Sequence, residues 1–232
     1  MRLSQDGFRI VDIPPANQIL LDSFENLPLD EFCGGKQRFH RFSQYKVSFS
    51  DDRWQLEPLP HRPLVQGTQY NNRSGGLKRD IPPVQVDCSK WVDAAFKSLE
   101  LDTGRSWHFD INQYRVISTP DIKGISVPEG AHQDGHHYVL IFVFRRHAIT
   151  GSVLSLLPLN GEPPLLQQVI EENQVIALDD TRMKHDASPI QPISEYGYRD
   201  YFGTALNPWE ERRYGEAFES QTLAARTLEL SE

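Results

Sequence analysis

The stretch PEGAHQDGHH, residues 128–137, gathers three histidines and two carboxylates into one Pro/Gly turn, directly ahead of the apolar run YVLIFVF. In an extended segment, residues i and i+2 project to the same side. His132 and Asp134 therefore aim at one point, and Gln133 faces away. An imidazole nitrogen and a carboxylate oxygen aimed together suit a first-row transition metal. A second imidazole would complete a face of three donors and leave the opposite half of an octahedron open for reactants.

The third donor has to come from a later strand. The candidate is His185 in LDDTRMKHDASPI, approached by the apolar strand VIALDD; closure of a barrel is what would bring it beside His132. Fourteen residues further on, Arg199 stands in EYGYRDYFGTAL, again on a predicted strand. A buried guanidinium opposite a metal has a specific use, because its planar fork binds a carboxylate through two parallel hydrogen bonds. The far carboxylate of 2-oxoglutarate is such a target when the keto-acid end chelates iron. Ser188, next to Pro189, is positioned to add a hydroxyl to the same carboxylate. Gln113 and Arg115 share one face of INQYRVI; if that face lines a barrel cavity, Gln113 contacts 2-oxoglutarate and Arg115 the substrate. Glu129 is a candidate partner for a substrate ammonium, and His136, His61 and Arg62 are further candidate substrate contacts. A lone His-x-Asp is weak, and the chain holds a second copy, His108–Asp110. That copy opens an alternating strand, with no other part of the pattern following at sensible spacing.

The elements that must carry these residues are mostly strands. From residue 107 onward, WHFDINQYRVI, KGISV, YVLIFVFRRH, GSVLSLLPL, LQQVIEENQVIALD and YRDYFGTAL are short apolar or alternating runs punctuated by Pro, Gly, Asn and Asp. Regular short strands of this kind predict a sandwich or barrel. Before them, helical spacing predicts a helix within 16–27 and a clearer one over 87–99, capped by Asp87 or Ser89 with Trp91, Val92, Ala95, Phe96 and Leu99 as its core stripe. FHRFSQYKVSF and WQLEPL read as extended. The last segment, 208–232, reads as a surface helix or frayed tail. No linker divides the chain, which reads as one domain over 1–232: helical and extended elements 1–104 packed on a β core 105–207, then the tail.

Composition sets the outer bounds. A net charge of −8 over 232 residues disfavours nucleic-acid binding. No stretch approaches the roughly 18 apolar residues of a membrane span, and the N-terminus lacks an apolar signal core. The two cysteines, Cys33 and Cys88, form no CxxC pair and read as free thiols, so a cytoplasmic protein is expected. A homodimer is compatible with the sequence.

The order HxDG, a long apolar strand, a distant H-x-x-SPI and then GYRD resembles the 2-oxoglutarate/Fe(II)-dependent dioxygenases. PEGAHQDG, RFSQYKV, LPHRPLVQ and GGLKRD extend the resemblance over roughly 38–206, to the bacterial subgroup that hydroxylates free L-amino acids, the L-isoleucine dioxygenase-like enzymes. The resemblance implies a mainly β fold with flanking α-helices, a double-stranded β-helix (jelly roll, cupin-like). It also implies Fe(II), 2-oxoglutarate and O2 as cofactors, His132, Asp134 and His185 as iron ligands, and Arg199 as the 2-oxoglutarate anchor. The implied reaction is hydroxylation of an unactivated C–H of a free L-amino acid or close derivative, with release of succinate and CO2. Halogenating relatives lack the carboxylate ligand, so Asp134 implies hydroxylation. Two other readings compete: a 2-oxoglutarate oxygenase acting on a protein or other macromolecule, and a non-catalytic, cupin-like metal-binding module.

Overall fold

The computed structural model describes the backbone of residues 1–229 and side chains as far as residue 224. The strands are β1 (Phe8–Asp12), β2 (Arg38–Ser50), β3 (Arg53–Pro58), β4 (Trp107–Ser118), β5 (Tyr138–His147) and β6 (Ile149–Gly151). They continue with β7 (Val153–Pro158), β8 (Leu166–Val169), β9 (Gln174–Asp179), β10 (Met183–Ala187), β11 (Ile190–Pro192) and β12 (Gly197–Pro208). The helices are α1 (Gln18–Asp22), α2 (Ser89–Ser98) and α3 (Glu216–Glu229).

A seven-stranded sheet in the order β1-β9-β5-β12-β4-β2-β3, antiparallel throughout, forms one layer. Facing it are a three-stranded sheet, β10-β7-β8, and the pair β11-β6. This is the jelly roll the sequence predicts, with two helices of the N-terminal half flanking the larger sheet. β5 is apolar on both faces because both are covered. Leu140, Phe142 and Phe144 pack with Phe24, Trp91, Phe96, Phe109 and Phe202 on the helix side. Val139 and Val143 pack with Leu154, Leu156, Ile176 and Met183 between the sheets. The strict alternation of a strand thus assigns every residue of the large sheet to the helix side or to the space between the sheets.

Helix α2 forms as expected, with Trp91, Val92, Ala95 and Phe96 buried. Cys88 occupies its N-cap position without a side-chain bond, while Asp87 accepts from the Ser89 N–H at 2.9 Å. The predicted helix within 16–27 shrinks to Gln18–Asp22. Asn17 caps its start through Leu20 N–H, and the Ser23 hydroxyl donates to the Leu20 carbonyl at 2.6 Å, a local bond that competes with continued helix. KGISV is not a strand; it contributes one isolated bridge, Gly124 to Ile190. Cys33 and Cys88 are both free and buried. Among the described residues, no helix is long and apolar enough to cross a membrane.

Two expected site residues fall on the wrong side of β4. Phe109 and Ile111 pack on the helix side, so Gln113 and Arg115 face the helices too. The Gln113 amide donates to the Ser23 hydroxyl at 2.7 Å. Arg115 forms a two-pronged pair with Asp200, its cross-strand neighbour on β12, at 2.7 and 2.8 Å, and reaches Glu25 at 2.7 and 2.9 Å. Neither residue contacts the cavity between the sheets, whose β4 wall is Asp110, Asn112 and Tyr114. Both faces of INQYRVI carry polar residues, so alternation alone does not reveal which face is inside.

Arg115 and Asp200 are both buried, and removing one strands the other. Arg115→Ala is expected to cost on the order of 3–5 kcal/mol of stability, read as a lowered urea midpoint, with the 2-oxoglutarate affinity of the folded fraction unchanged. Unaltered stability, or a shifted affinity, would return Arg115 to the site.

Candidate metal centre

The loop before β5 and the strand β10 meet through a two-way backbone bridge. The His132 N–H donates to the His185 carbonyl at 3.1 Å, and the His185 N–H to the His132 carbonyl at 2.9 Å. Directly opposed residues in an antiparallel pair present their side chains on the same face. The two imidazole centroids are accordingly 4.5 Å apart. Asp134 completes the group: one carboxylate oxygen lies 3.3 Å from His132 Nε2 and the other 3.7 Å from His185 Nε2. One donor atom from each residue can be chosen so that all lie within 4.8 Å of one another.

The loop's shape comes from Asp180, at the end of the β9 strand and fully buried. Its carboxylate accepts from three successive backbone N–H groups, Asp134 at 3.1 Å, Gly135 at 2.6 Å and His136 at 2.9 Å. The Gln133 amide, turned away from the metal group as predicted, donates to the Asp180 carbonyl. Gly135 has a φ of +78°, and a Cβ there would stand 2.3 Å from the Tyr70 ring, so both backbone and space require glycine. His132 Nδ1 lies 2.9 Å from the Gly130 carbonyl, which can only accept. That bond puts the imidazole proton on Nδ1 and leaves Nε2 free for a metal.

The electrostatics match a cation site. Burial alone would raise Asp134, but the His132 hydrogen bond and the charges of His185 and His132 hold it well below the usual carboxylate range. Burial pushes His185 down to about 4, which keeps it neutral and ready to ligate. Burial would lower His132 as well, yet the hydrogen bond and charge of Asp134, with Glu129, push it up to about 9. In the metal-free protein, a proton takes the place a cation would hold.

The cavity these residues open into, about 110 Å³, lies between the sheets. Val139, Ile141 and Leu154 form its apolar wall, and Tyr114 and Tyr201 meet at a tilt, 5.2 Å between ring centroids, along another. Arg199 is 4% exposed in this wall, its guanidinium 4.5 Å from the Tyr201 ring centroid. Its Nε has no hydrogen-bond partner, and among the described residues no carboxylate pairs with it. Asp200, its chain neighbour, points to the other face and is committed to Arg115. Burial pushes Arg199 down to about 10, still charged at neutral pH.

Glu129 and His136 also line the cavity, Glu129 at 3.7 Å from His132 Nε2 and His136 at 4.0 Å from Asp110. Three other expected residues do not. Ser188 is exposed, and its hydroxyl accepts from the Val153 N–H, because one step of alternation beyond Ala187 turns it outward. His61 pairs with Asp80 on the surface at 2.9 Å. Arg62 pairs with Glu219 of α3, which the predicted tail contributes as a strap; Tyr214 fixes that strap to the Pro60 carbonyl at 2.9 Å. The second His-x-Asp splits. His108 is buried away from the metal group, beside Gln44, whereas Asp110 lines the cavity, where burial and then the Asp134 charge push it up to about 8. Asp110, Asp180, Arg38, Gln66 and Arg79 were not legible from the sequence, since no local pattern says which polar residues a closed barrel turns inward.

Two imidazoles and a carboxylate gathered in a jelly roll are the donor set used by non-haem iron oxygenases. Comparison with known proteins gives the family: the model for the 2OG-Fe dioxygenases matches residues 21–205, and the chain belongs to that family. Its cofactors are Fe(II), 2-oxoglutarate and O2, and the donor set and the unpaired Arg199 fit the first two. Solved structures share the fold. A bsmA homolog from Methylobium petroleophilum PM1 is 24% identical, with a TM-score of 0.69 over 88% of this chain and 89% of that one. IDO from Bacillus thuringiensis is 16% identical, with a TM-score of 0.64 over 88% and 94%. The Fe(II)/(alpha)ketoglutarate-dependent dioxygenase TqaL is 17% identical, with a TM-score of 0.54 over 86% and 82%. No curated protein matches the chain.

His185→Ala removes one of three donors and is expected to weaken Fe(II) binding by more than the ~10–100-fold that loss of an outer partner costs, measured anaerobically. Wild-type affinity in that variant would remove His185 from the site. The His132 pKa gives a pH signature. It is raised in the folded protein above its ordinary 6.5, so the His132–Asp134 pair stabilises the metal-free protein fully below that pH, and this stabilisation is lost as pH rises through about 9. Fe(II) must displace the same proton, so its affinity should climb with pH towards about 9, with proton release on binding. An affinity flat over that window would mean that His132 does not ligate.

Proposed function

We propose that the chain is a 2-oxoglutarate- and Fe(II)-dependent dioxygenase that hydroxylates an unactivated C–H of a free L-amino acid or close derivative. His132, Asp134 and His185 would hold the iron. Bound iron with 2-oxoglutarate supplies the O2-dependent oxidation, with succinate and CO2 as co-products. The observation that carries the reading is Arg199: a buried, charged guanidinium with no counter-ion among the described residues, in the cavity that the metal group faces. Burying a charge without a partner is costly, and a five-carbon dicarboxylate held at its other end by the metal supplies the missing carboxylate.

The remaining residues act by placement. Tyr201 stacks on Arg199 and holds the fork in one plane. Val139, Ile141 and Leu154 keep the reacting end dry. Asp134 occupies the third protein position, which favours hydroxylation over transfer of a halide. Glu129 offers a carboxylate for a substrate ammonium on the same wall as His132. A small cavity with groups of both signs on its walls suits a small zwitterion.

The test has two parts. The anaerobic Fe(II) protein is titrated with 2-oxoglutarate and followed by its metal-to-ligand charge-transfer absorbance. Loss of one partner of a buried guanidinium–carboxylate pair costs on the order of 3–5 kcal/mol, so Arg199→Ala should weaken 2-oxoglutarate at least about a hundredfold while keeping its iron. Arg199→Lys, which keeps the charge but not the fork, should fall between. An unchanged midpoint in a folded, iron-binding Arg199→Ala protein would move a metal-only module ahead. A panel of free L-amino acids with O2, read by mass spectrometry for one added oxygen atom, then tests the substrate class; 2-oxoglutarate turnover with none of them modified would point to a macromolecular substrate.

A further inference from the structure

Three guanidinium groups reach the cavity, on Arg38, Arg79 and Arg199. Arg38 is neutralised in place: its Nε donates to Asp30 at 2.8 Å and its Nη1 to the Ser126 carbonyl at 3.1 Å. Arg199 is taken by 2-oxoglutarate under the reading above. Arg79 is left over. It is 3% exposed, and its Nη2 donates to a neutral acceptor, the Gln66 side-chain carbonyl, at 2.5 Å. Its Nε is buried with no partner, and among the described residues no carboxylate lies within ion-pair distance. Asp30 and Glu129 act on Arg79 only from a distance, so one 2-oxoglutarate leaves one of the two buried guanidiniums without a carboxylate in contact.

The position of Arg79 says which anion would meet it. Its backbone is pinned to Leu64 by hydrogen bonds in both directions, at 2.9 and 3.1 Å, so the side chain is held and not merely folded inward. Gln66 links it to the metal group: the same amide that accepts from Arg79 and, at 3.3 Å, from Asn71 donates to Asp134 at 3.4 Å. A carboxylate on Arg79 is therefore held beside the metal ligands, on a different element from Arg199. Glu129 lines the same cavity and has the opposite sign. A ligand spanning the two needs one anionic and one cationic end, the pair of charges that an α-amino acid carries.

Building on the amino-acid reading, we propose that Arg79 seats the α-carboxylate of the substrate and Glu129 its ammonium, so that the side chain to be hydroxylated points along Val139, Ile141 and Leu154. Arg79 is then the residue that makes the enzyme require a free carboxylate.

The experiment uses the anaerobic Fe(II)–2-oxoglutarate enzyme, titrated with free L-amino acids, their primary amides and their desamino acids, and followed by the perturbation of the charge-transfer band. Wild type should bind the acid at least about a hundredfold more tightly than its amide, because the amide forfeits a two-pronged ionic contact. Arg79→Ala should abolish that preference by weakening the acid alone, and its 2-oxoglutarate midpoint should stay at the wild-type value. Arg79→Lys should restore part of the preference, and it stands in should the alanine variant not fold. An acid-over-amide preference that survives in a folded Arg79→Ala protein, or stays at full wild-type size in Arg79→Lys, overturns the proposal and leaves the amino-acid reading intact. So does a shift confined to the 2-oxoglutarate midpoint, which would assign Arg79 to the co-substrate. If wild type binds a desamino acid but no amino acid, the amino-acid reading and the role of Glu129 fall, and the Arg79 carboxylate seat is judged by the same comparison on that compound. Binding of none of the three sets overturns both.

Discussion

His132 lies in a loop and His185 on a strand 53 residues later, and two backbone hydrogen bonds hold them face to face. Much of the site follows from that bridge. It exists because β10 pairs with β7 in the smaller sheet while β9, just before it, pairs with β5 in the larger one. The turn between β9 and β10 therefore crosses from one layer to the other at the cavity mouth. Asp180 sits in that turn, and its carboxylate gathers the N–H groups of Asp134, Gly135 and His136. One short crossing thus supplies a metal-site histidine and also the acceptor that shapes the loop carrying the other two donors.

Charge is distributed along the large sheet with the same economy. Arg115 and Asp200 satisfy each other on the helix side. Arg199, the neighbour of Asp200, faces the other way and is left without a counter-ion in the cavity. Alternation along β12 separates a structural ion pair from a cavity-facing guanidinium by a single residue, and a β-bulge between Asp200 and Tyr201 lies at that point. Asp30 does for Arg38 what Asp200 does for Arg115. Among the described residues, Arg38 and Arg115 are buried with a carboxylate in ion-pair contact, and Arg79 and Arg199 are buried without one. Stable folding accounts for the paired ones. Arg79 and Arg199 are the two on which the proposed ligand contacts rest.

The cover over the cavity is built from segments with little regular structure. Leu64 and Arg79 close the loop between β3 and α2 with one bridge, and Gln66 carries it to Asp134. The C-terminal segment lies across its outer side, through Arg62 to Glu219 and Tyr214 to Pro60. His61 and Arg62 therefore belong to the fastening of the cover and not to the cavity itself.

The sequence by itself determined the strand-rich class and the strong helix α2, and it singled out His132, Asp134, His185 and Arg199, which the fold brings to one cavity. Those are legible because they rest on local rules: the two-residue period that aims His132 and Asp134 together, the helical stripe from Trp91 to Phe96, and an order of motifs along the chain. Tertiary structure decided which face of each strand is inside. Gln113, Arg115 and Ser188 read as cavity residues in sequence and are turned away, whereas Asp110, in a His-x-Asp that local context sets aside, is turned in. A strand with polar residues on both faces has the same period whichever face is buried. Only the packing of Phe109 and Ile111 against the helices fixes the choice, and with it the positions of Asp110, Asn112 and Tyr114. Arg79 was hidden for a related reason: an arginine's burial and its lack of a partner are properties of the surroundings, which the barrel closes around it from segments distant in the chain.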